Sequence, residues 1–138
     1  MTAAGRLLGV DYGDVRVGLS VSDPGRIIAF PLAVYTRRGR ELDAAYFQTL
    51  AKQEGIAGLV VGLPVHLSGR EGQKAAAARA FGAWLGQTTG LPVAFYDERF
   101  TTVEAESALW TAGLTHKRRK ARRDKVAAQM LLQAYLDA

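Results

Sequence analysis

Apolar and polar residues alternate along the first part of the chain, and this pattern predicts β-strands. Three segments carry it, residues 6–12, 15–22 and 26–35, with short breaks of Gly, Asp and Pro at 13–14 and 23–25. In the middle segment, valine and leucine alternate with polar or small residues, as expected for a strand with one buried face. Because breaks this short favour hairpins, the sequence predicts three consecutive antiparallel strands.

Beyond residue 40, apolar residues recur every three or four positions, which is the period of a helix packed on one side. Two helices are predicted from this spacing, and each is followed by an apolar strand, at residues 58–63 and 93–98. Residues 101–104 have the spacing of a capping box and predict a third helix. A last helix is predicted from about Arg122 to the C-terminus. The first two helices have the apolar faces Leu42, Ala45, Tyr46, Thr49, Leu50 and Ala77, Ala78, Phe81, Trp84, Leu85.

The predicted order is three strands, helix, strand, helix, strand and two helices. Helices that alternate with strands imply parallel strands joined by right-handed crossovers, and here they continue an antiparallel meander. We therefore predict an α/β fold with one mixed sheet of about five strands flanked by helices, forming a single domain over residues 1–138. In such sheets, binding sites collect where strands end.

The composition narrows the class of protein. The 138 residues include no cysteine, which excludes disulfides, thiolate metal sites and cysteine nucleophiles. The N-terminal residues do not resemble a signal peptide, and no apolar run approaches the length that spans a membrane. The sequence therefore predicts a soluble protein of the cytoplasm.

The positive charge is concentrated in one short segment. The net charge is +5, but residues 116–125, called the basic segment below, hold seven of the 18 Lys and Arg residues and one of the 13 acids. The rest of the chain is therefore nearly neutral. A local positive field suits a polyanion such as nucleic acid, although charge runs are also common in solvated loops. The cations are Lys117, Arg118, Arg119, Lys120, Arg122, Arg123 and Lys125.

Four carboxylates occupy positions where apolar elements end or begin. Asp11 ends the first strand, Asp97 and Glu98 end the last strand, and Asp124 opens the last helix. An ionised carboxylate at the end of a core element is costly to desolvate unless a cation meets it. Oxygen ligands from separate elements suit a hard divalent metal such as Mg²⁺ or Mn²⁺.

The three acids that end strands also have structural explanations. Asp11 could start a turn by accepting backbone hydrogen bonds, and Asp97 with Glu98 could form an ordinary surface ion pair. Successive strand residues point to opposite faces, so only one of these two can face the side of Asp11. We favour Glu98, with Asp97 left to orient the turn or to pair with Arg99.

Asp124 carries the most information of the four acids. It lies on the apolar stripe of the last helix and is embedded in the basic segment. An N-cap would also explain an acid at this position, but a cap does not need cations on both sides. The stripe consists of Ala127, Ala128, Leu131, Leu132 and Tyr135.

Three converging carboxylates can hold one or two divalent metal ions that activate a water for phosphodiester hydrolysis. Together with the basic segment, they favour a metal-dependent endonuclease. The catalytic residues and metal ligands predicted from the sequence are Asp11, Glu98 and Asp124, with Asp97 as the alternative to Glu98.

Arginines outside the basic segment are further candidates for contact with nucleic acid. Arg16 lies on the polar face of the second strand, and Arg70 lies in a glycine-containing loop, residues 62–72. Backbone amides of such a loop can approach a phosphate, although a plain connection explains it equally well. His66 and His116 are the only histidines, so a histidine general base would have to be one of these two.

Four segments together resemble the YqgF/RuvX family of bacterial proteins, relatives of the RuvC resolvases in the RNase H-like superfamily. They are GVDYGDVRVGLSVSD (9–23), VVGLPVHLSGREG (60–72), YDERFTTVEAE (96–106) and RRDKVAAQMLL (122–132). They follow the order of the family over nearly the whole chain. The family is described as Holliday-junction resolvases and as nucleases that mature the 5′ end of pre-16S ribosomal RNA.

The resemblance implies an RNase H-like fold, a metal-dependent endonuclease site and a cytoplasmic location. By it, the acid of the first strand is Asp11, the acid of the Asp-Glu-Arg motif is Glu98 or its neighbour Asp97, and the helical acid is Asp124. The chain departs from the family in the loop after Gly-Leu-Pro, where Asn and Asp are common and this chain has His and Ser.

Two other classes stay open at the level of the sequence. One is a nucleic-acid-binding module without catalysis, in which the acids are structural. The other is suggested by Asp-Tyr-Gly at the end of the first strand, which also resembles the phosphate loop of actin-like ATPases and sugar kinases; those proteins need two such domains. Basic residues bind either backbone, so a branched DNA and a precursor ribosomal RNA are both possible substrates. A two-fold-symmetric junction would suit a homodimer.

Overall fold

The computed structural model describes residues 5–66, 68–100 and 116–138, and their side chains except at 100 and 116–122. The helices are α1 (Arg40–Gln53), α2 (Gln73–Thr89) and α3 (His116–Asp137), and a 3₁₀ turn spans Glu98–Phe100. The strands are β1 (Arg6–Asp11), β2 (Arg16–Ser22), β3 (Ala29–Thr36), β4 (Ile56–Leu63) and β5 (Val93–Asp97).

The strands form one mixed sheet in the order β3-β2-β1-β4-β5. β2 pairs antiparallel with β1 and β3, whereas β4 pairs parallel with β1 and β5. This confirms the predicted mixed sheet, with three antiparallel strands followed by alternating helices and strands. A consequence for function is that β1, β3, β4 and β5 all end at the same edge of the sheet.

The described helices cover both faces of the sheet. α1 and α2 pack against one face, and α3 packs across β1, β2 and β3 on the other. Side chains of each strand alternate between the two faces, and burial of their apolar members is the main force that holds the layers together. The larger cluster, under α1 and α2, includes Leu8, Val10, Val17, Leu19, Phe47, Leu59, Val61, Phe81 and Leu85; the smaller one, under α3, includes Leu7, Ala29, Val60 and Leu132.

Small residues in β1 and β2 allow α3 to approach the sheet closely. A Cβ at Gly18 would collide with the backbone oxygen of Asp124, and one at Gly9 would lie 3.2 Å from the backbone oxygen of Ala128. Beside them, the Ser20 hydroxyl donates a hydrogen bond to the Ala128 oxygen at 2.7 Å. Direct contact between the helix backbone and the strands therefore fixes the position of α3.

The last helix begins earlier than the sequence predicts. The sequence predicts a start near Arg122, whereas α3 begins at His116. Asp124 is therefore the ninth residue of the helix, and its explanation as an N-cap is wrong. The apolar period begins only after the basic segment, which hides the first turns from a search for apolar faces. Lys and Arg are nevertheless good helix formers, so the helix extends through them.

The buried face of α1 also differs from the prediction. Leu42 is 58% exposed, whereas Phe47 is buried. Asp43 is buried as well, because it accepts hydrogen bonds from the Tyr35 hydroxyl at 2.6 Å and from the Arg38 amide at 2.8 Å. Because a charged residue lies on the buried side of α1, apolar spacing alone predicts a different buried face from the one that the helix presents to the sheet.

The third predicted helix, opened by residues 101–104, lies outside the described residues. Within the described part of the chain, no helix combines the length and the apolar character that crossing a membrane requires.

Candidate active site

Asp11 and Glu98, called the acidic pair below, meet at the edge where β1, β4 and β5 end. Asp11 is the last residue of β1, and Glu98 begins the 3₁₀ turn directly after β5. The intervening strand β4 contributes Gly62, where a Cβ would collide with Oε1 of Glu98. Because Gly62 has no side chain, Glu98 can lie over β4 and reach Asp11.

The acidic pair has unusual electrostatics. Burial raises the pKa of Asp11 well above its ordinary value, and the charge of Glu98, a hydrogen bond with Glu98 and the charge of Asp124 raise it further. A hydrogen bond between two carboxyl groups requires a proton on one of them. The pair therefore holds a proton or a cation more readily than an isolated carboxylate does.

Asp97, the alternative to Glu98, is engaged elsewhere. Its Oδ1 accepts a hydrogen bond from the Arg99 amide at 2.9 Å, and its Oδ2 accepts from the Arg99 guanidinium, with Nη2 at 2.6 Å. These bonds to Arg99 lower the pKa of the Asp97 carboxyl. The structure thus brings Glu98, not Asp97, to Asp11 from the turn after β5, and pairs Asp97 with Arg99.

Asp124 is close enough for its charge to act on Asp11, and it is paired with Arg16. The Nε of Arg16 lies 3.1 Å from Oδ2 of Asp124, and the two side chains are 24% and 26% exposed. The contact of Gly18 with the Asp124 backbone sets this position, since Gly18 is the register partner of Asp11. Arg16, predicted as a contact for nucleic acid, is therefore also a partner of one of the three acids.

The chemistry of these donors fits a hard divalent cation. Two adjoining carboxyl groups, with a third carboxylate nearby, would be relieved of repulsion by Mg²⁺ or Mn²⁺. As the side chains stand, with Asp124 on Arg16, no group of three or more His, Asp or Glu among residues 5–66, 68–100 and 116–138 is arranged to hold a metal ion. The acidic pair is in place, and Asp124 is the acid whose present partner is a cation of the chain itself.

The basic segment forms the N-terminal part of α3, so its charge belongs to the helix that carries Asp124. Arg123 is exposed and Lys125 is partly buried. Arg70 is also exposed, and its backbone oxygen accepts a hydrogen bond from the His66 amide at 2.9 Å within the loop after β4. Side chains of the basic segment outside the described set are those of Lys117, Arg118, Arg119, Lys120 and Arg122.

A cavity of about 580 Å³ adjoins the acidic pair, and no sequence pattern predicts it. Its walls include His66, Lys74, Glu98 and Arg99. In the sequence, His66 stands out only as one of two histidines and as a departure from the family in the loop after Gly-Leu-Pro, and Lys74 does not stand out. The four side chains come from the loop after β4, from α2 and from the turn after β5, so only the fold brings these basic groups beside Glu98.

Comparison with known proteins is consistent with this arrangement. A Rhodopirellula baltica protein named "Putative pre-16S rRNA nuclease" is 51% identical over 136 residues, which are 99% of this chain and 79% of that protein. A Koribacter versatilis protein of the same name is 41% identical over 133 residues, 96% of this chain and 87% of that protein.

Among solved structures, Thermus thermophilus RuvC in complex with a Holliday junction substrate has a TM-score of 0.59, at 17% identity, over 96% of this chain and 95% of that chain. RuvC has an RNase H-like fold, so the predicted fold class is confirmed. The model of the RuvX family, described as Holliday junction resolvase, matches residues 5–138. The predicted resemblance is therefore confirmed, and the chain belongs to the RuvX family.

Proposed function

We propose that this protein is a metal-dependent endonuclease that hydrolyses phosphodiester bonds in structured nucleic acid. The observation that carries the proposal is the acidic pair at the sheet edge, with Asp124 and the basic segment on the adjacent helix. The family and the names of the relatives support the nuclease activity. The meeting of two partly buried acids at the sheet edge supports a bound cation, which would neutralise their charge.

Asp11 and Glu98 would hold the metal ion, with Asp124 as the third carboxylate. When bound, Mg²⁺ or Mn²⁺ would supply an activated water and stabilise charge on the leaving oxygen. Arg16 holds Asp124 by an ion pair of 3.1 Å, so this arginine positions the third acid. His66, Lys74 and Arg99 line the cavity beside Glu98 and are placed to contact a phosphate next to the scissile bond.

Substrate binding is assigned to the basic segment, to Arg70 and, when it is not paired with Asp124, to Arg16. A cationic helix surface gives affinity for a phosphate backbone without reading its sequence. The substrate is therefore a branched DNA or a precursor ribosomal RNA, as the family description and the names of the relatives suggest. The chain would act as one domain in the cytoplasm, and on a two-fold-symmetric junction it would act as a homodimer.

The test is cleavage of three labelled substrates, a four-way junction, a linear duplex and a pre-16S ribosomal RNA fragment, with Mg²⁺, Mn²⁺ or EDTA. Asp11→Asn, Glu98→Gln and Asp124→Asn are expected to reduce cleavage to background while binding in EDTA is retained. Asp97→Asn is the matched control, because it removes a neighbouring carboxylate that is paired with Arg99, and it should still cut.

A non-catalytic binding module is the second candidate, and the same experiment separates the two. If wild-type protein binds but never cuts, with either metal, the acids are structural and the module is the correct description. If Asp97→Asn is inactive and Glu98→Gln cuts normally, the assignment of Glu98 is wrong.

A further inference from the structure

A second cavity, of about 550 Å³, opens near the edge that carries the acidic pair but on the opposite face of the sheet. It lies between the start of α1 and the middle of α2, and one wall is Tyr12, the residue that follows Asp11. Successive residues at the end of a strand point to opposite faces. Asp11 therefore faces α3 and the acidic pair, whereas Tyr12 faces this second cavity.

The walls of this cavity combine aromatic rings with arginines. Tyr12, Phe81 and Trp84 supply the rings, and Arg37 and Arg40 supply the cations. The rings form a contiguous set, with centroids 4.8 Å apart between Tyr12 and Phe81 and 5.5 Å apart between Phe81 and Trp84. These residues come from three separate parts of the chain, so the cluster is a product of the fold.

Arg37 is held rigidly within the cluster. Its guanidinium carbon lies 5.3 Å from the ring centroids of both Tyr12 and Phe81, and its Nη1 donates to the Tyr12 hydroxyl at 2.9 Å. The buried Asp43 lies 3.8 Å from Arg37 Nε and is itself occupied by the Tyr35 hydroxyl. A preorganised arginine between two rings loses little freedom when a ligand binds.

We propose that this cavity binds an unpaired nucleotide of the substrate, with its base against Trp84 and its phosphate near Arg40. Phe81, only 5% exposed, and Tyr12, covered by Arg37, support Trp84 from behind. Aromatic rings with arginines are the surface on which single-stranded bases stack, and such stacking tolerates any base. The volume is that of a small-ligand pocket and excludes a duplex. Asp14 on the rim disfavours a phosphate at that point, which leaves the Arg40 side for the backbone.

This inference rests on the proposed function, because it supplies the specificity of the same site. Tyr12 and Asp11 are adjacent, so their Cα atoms are about 3.8 Å apart. A strand that crosses the sheet edge at these two residues would have one nucleotide in the cavity and a phosphate further along the strand near the acidic pair. The protein would then prefer substrates with unpaired nucleotides close to the cleavage position, whether in a branched DNA or in a precursor RNA.

The test measures affinity in EDTA, so that it does not depend on cleavage. Fluorescence anisotropy gives the Kd of a ten-nucleotide single strand and of a blunt duplex of equal length for wild type, Trp84→Leu, Arg40→Ala and Lys52→Ala. Lys52→Ala is the matched control, because it removes one exposed cation at the far end of α1. Circular dichroism checks that each variant is folded.

We expect Trp84→Leu to weaken single-strand binding about fivefold or more, as loss of a base stack does, and to leave duplex binding unchanged. Arg40→Ala should weaken single-strand binding more than Lys52→Ala does. A series of single strands, each lacking the base at one position, completes a double-mutant cycle. For the strand that lacks the base bound in the cavity, Trp84→Leu should weaken the affinity no further, because the stacking partner of Trp84 is already absent.

Three outcomes overturn the inference. In the first, neither Trp84→Leu nor Arg40→Ala changes single-strand affinity while the protein still cuts, and the proposed function then stands without this cavity. In the second, both variants weaken duplex and single strand equally, which indicates a general loss of charge or stability. In the third, wild type binds neither nucleic acid, and the proposed function fails together with the inference.

Discussion

Repulsion within the acidic pair makes the stability of the metal-free protein depend on pH. The pKa of Asp11 is raised in the folded protein by burial and by Glu98, and returns to its usual range, about 4, on unfolding. Above about pH 4, the folded state keeps a proton that the unfolded state releases, so stability falls as the pH rises through the folded pKa. The favourable contribution of the Asp11 proton to the free energy of unfolding is complete only below the pKa that Asp11 has in the unfolded chain.

Asp11→Asn should therefore be more stable than wild type in EDTA, and its advantage should grow as the pH rises above about 4, the ordinary pKa of an aspartate carboxyl. Chemical denaturation at several pH values measures this. Asp97→Asn is expected to behave in the opposite sense, because the hydrogen bonds with Arg99 lower the pKa of Asp97: it should lose stability at neutral pH and approach wild type in acid. A pH-independent difference between Asp11→Asn and wild type would contradict the assignment.

Arg16 is expected to control how strongly a metal ion acts on the protein. Its pair with Asp124 is partly exposed, so Arg16→Ala should cost at most about 1 kcal/mol in EDTA. Arg16→Ala removes one cation that competes with a metal ion for the Asp124 carboxylate, so Mn²⁺ should raise the Tm of Arg16→Ala by more than that of wild type. Arg6→Ala, which breaks the distant pair of Arg6 with Glu54, is the control. Equal Mn²⁺ shifts in all three proteins would contradict this role.

Among single residues, the sequence showed which acids end strands but not what they pair with. Strand alternation allowed only one of Asp97 and Glu98 to face Asp11 without deciding which, and Glu98 lies beside Asp11 from the turn after β5. The pairing of Arg16 with Asp124 was not predicted, because it joins β2 to a helix more than 100 positions later in the chain. Local patterns predict which face of a strand or helix a side chain points to, but they do not predict which distant element packs against that face.

At the scale of elements, the position of α3 depends on the small residues beneath it. Ser20 and Gly18 alternate with valine and leucine in β2 and are buried as well, so this strand is covered on both faces and not on the one face that its alternation predicted. Their small size is visible in the sequence as a polar or neutral face. That pattern predicts a face but not a helix in direct contact with it. The start of α3 at His116 was missed for a related reason, since cations without an apolar period give no signal of packing.

Gly18→Ala tests this contact, because its Cβ would collide with the backbone oxygen of Asp124. We expect a loss of about 1–3 kcal/mol in the free energy of unfolding, as overpacking usually causes. Cleavage should fall as well at temperatures where the variant is folded, since Asp124 must move. Gly86→Ala is the matched control: its Cβ would lie 2.7 Å from Cγ2 of Val93, away from the acids, and cleavage should be unchanged. Full activity of a destabilised Gly18→Ala would show that Asp124 tolerates displacement.

At the scale of the whole molecule, two clusters depend on long-range folding. The aromatic cavity joins residues 12, 37, 40, 81 and 84, and no short segment contains more than two of them. The sequence predicted the sheet and its functional edge from local periodicity, and no local pattern could predict a cavity built from three separate parts of the chain. The charge asymmetry, by contrast, was visible in full because the cations are consecutive.

That asymmetry predicts where the salt dependence of binding originates. Each phosphate contact made by a cation releases counterions, so removing one such contact lowers the slope of log K against log salt concentration by about 0.7–0.9. The double variant Arg122→Ala, Arg123→Ala should therefore reduce the slope by roughly 1.4–1.8. The control is Arg6→Ala with Lys52→Ala, which removes the same charge where β1 begins and α1 ends, at the opposite edge of the sheet.

Binding isotherms at several salt concentrations in EDTA measure both slopes. Equal reductions in the two double variants would mean that only net charge matters, and an unchanged slope for the α3 variant would remove the basic segment from the path of the nucleic acid. The expected result, a reduction confined to the α3 variant, would locate the backbone on the helix that carries Asp124. A substrate bound there lies next to the acidic pair, so affinity and cleavage would depend on the same helix.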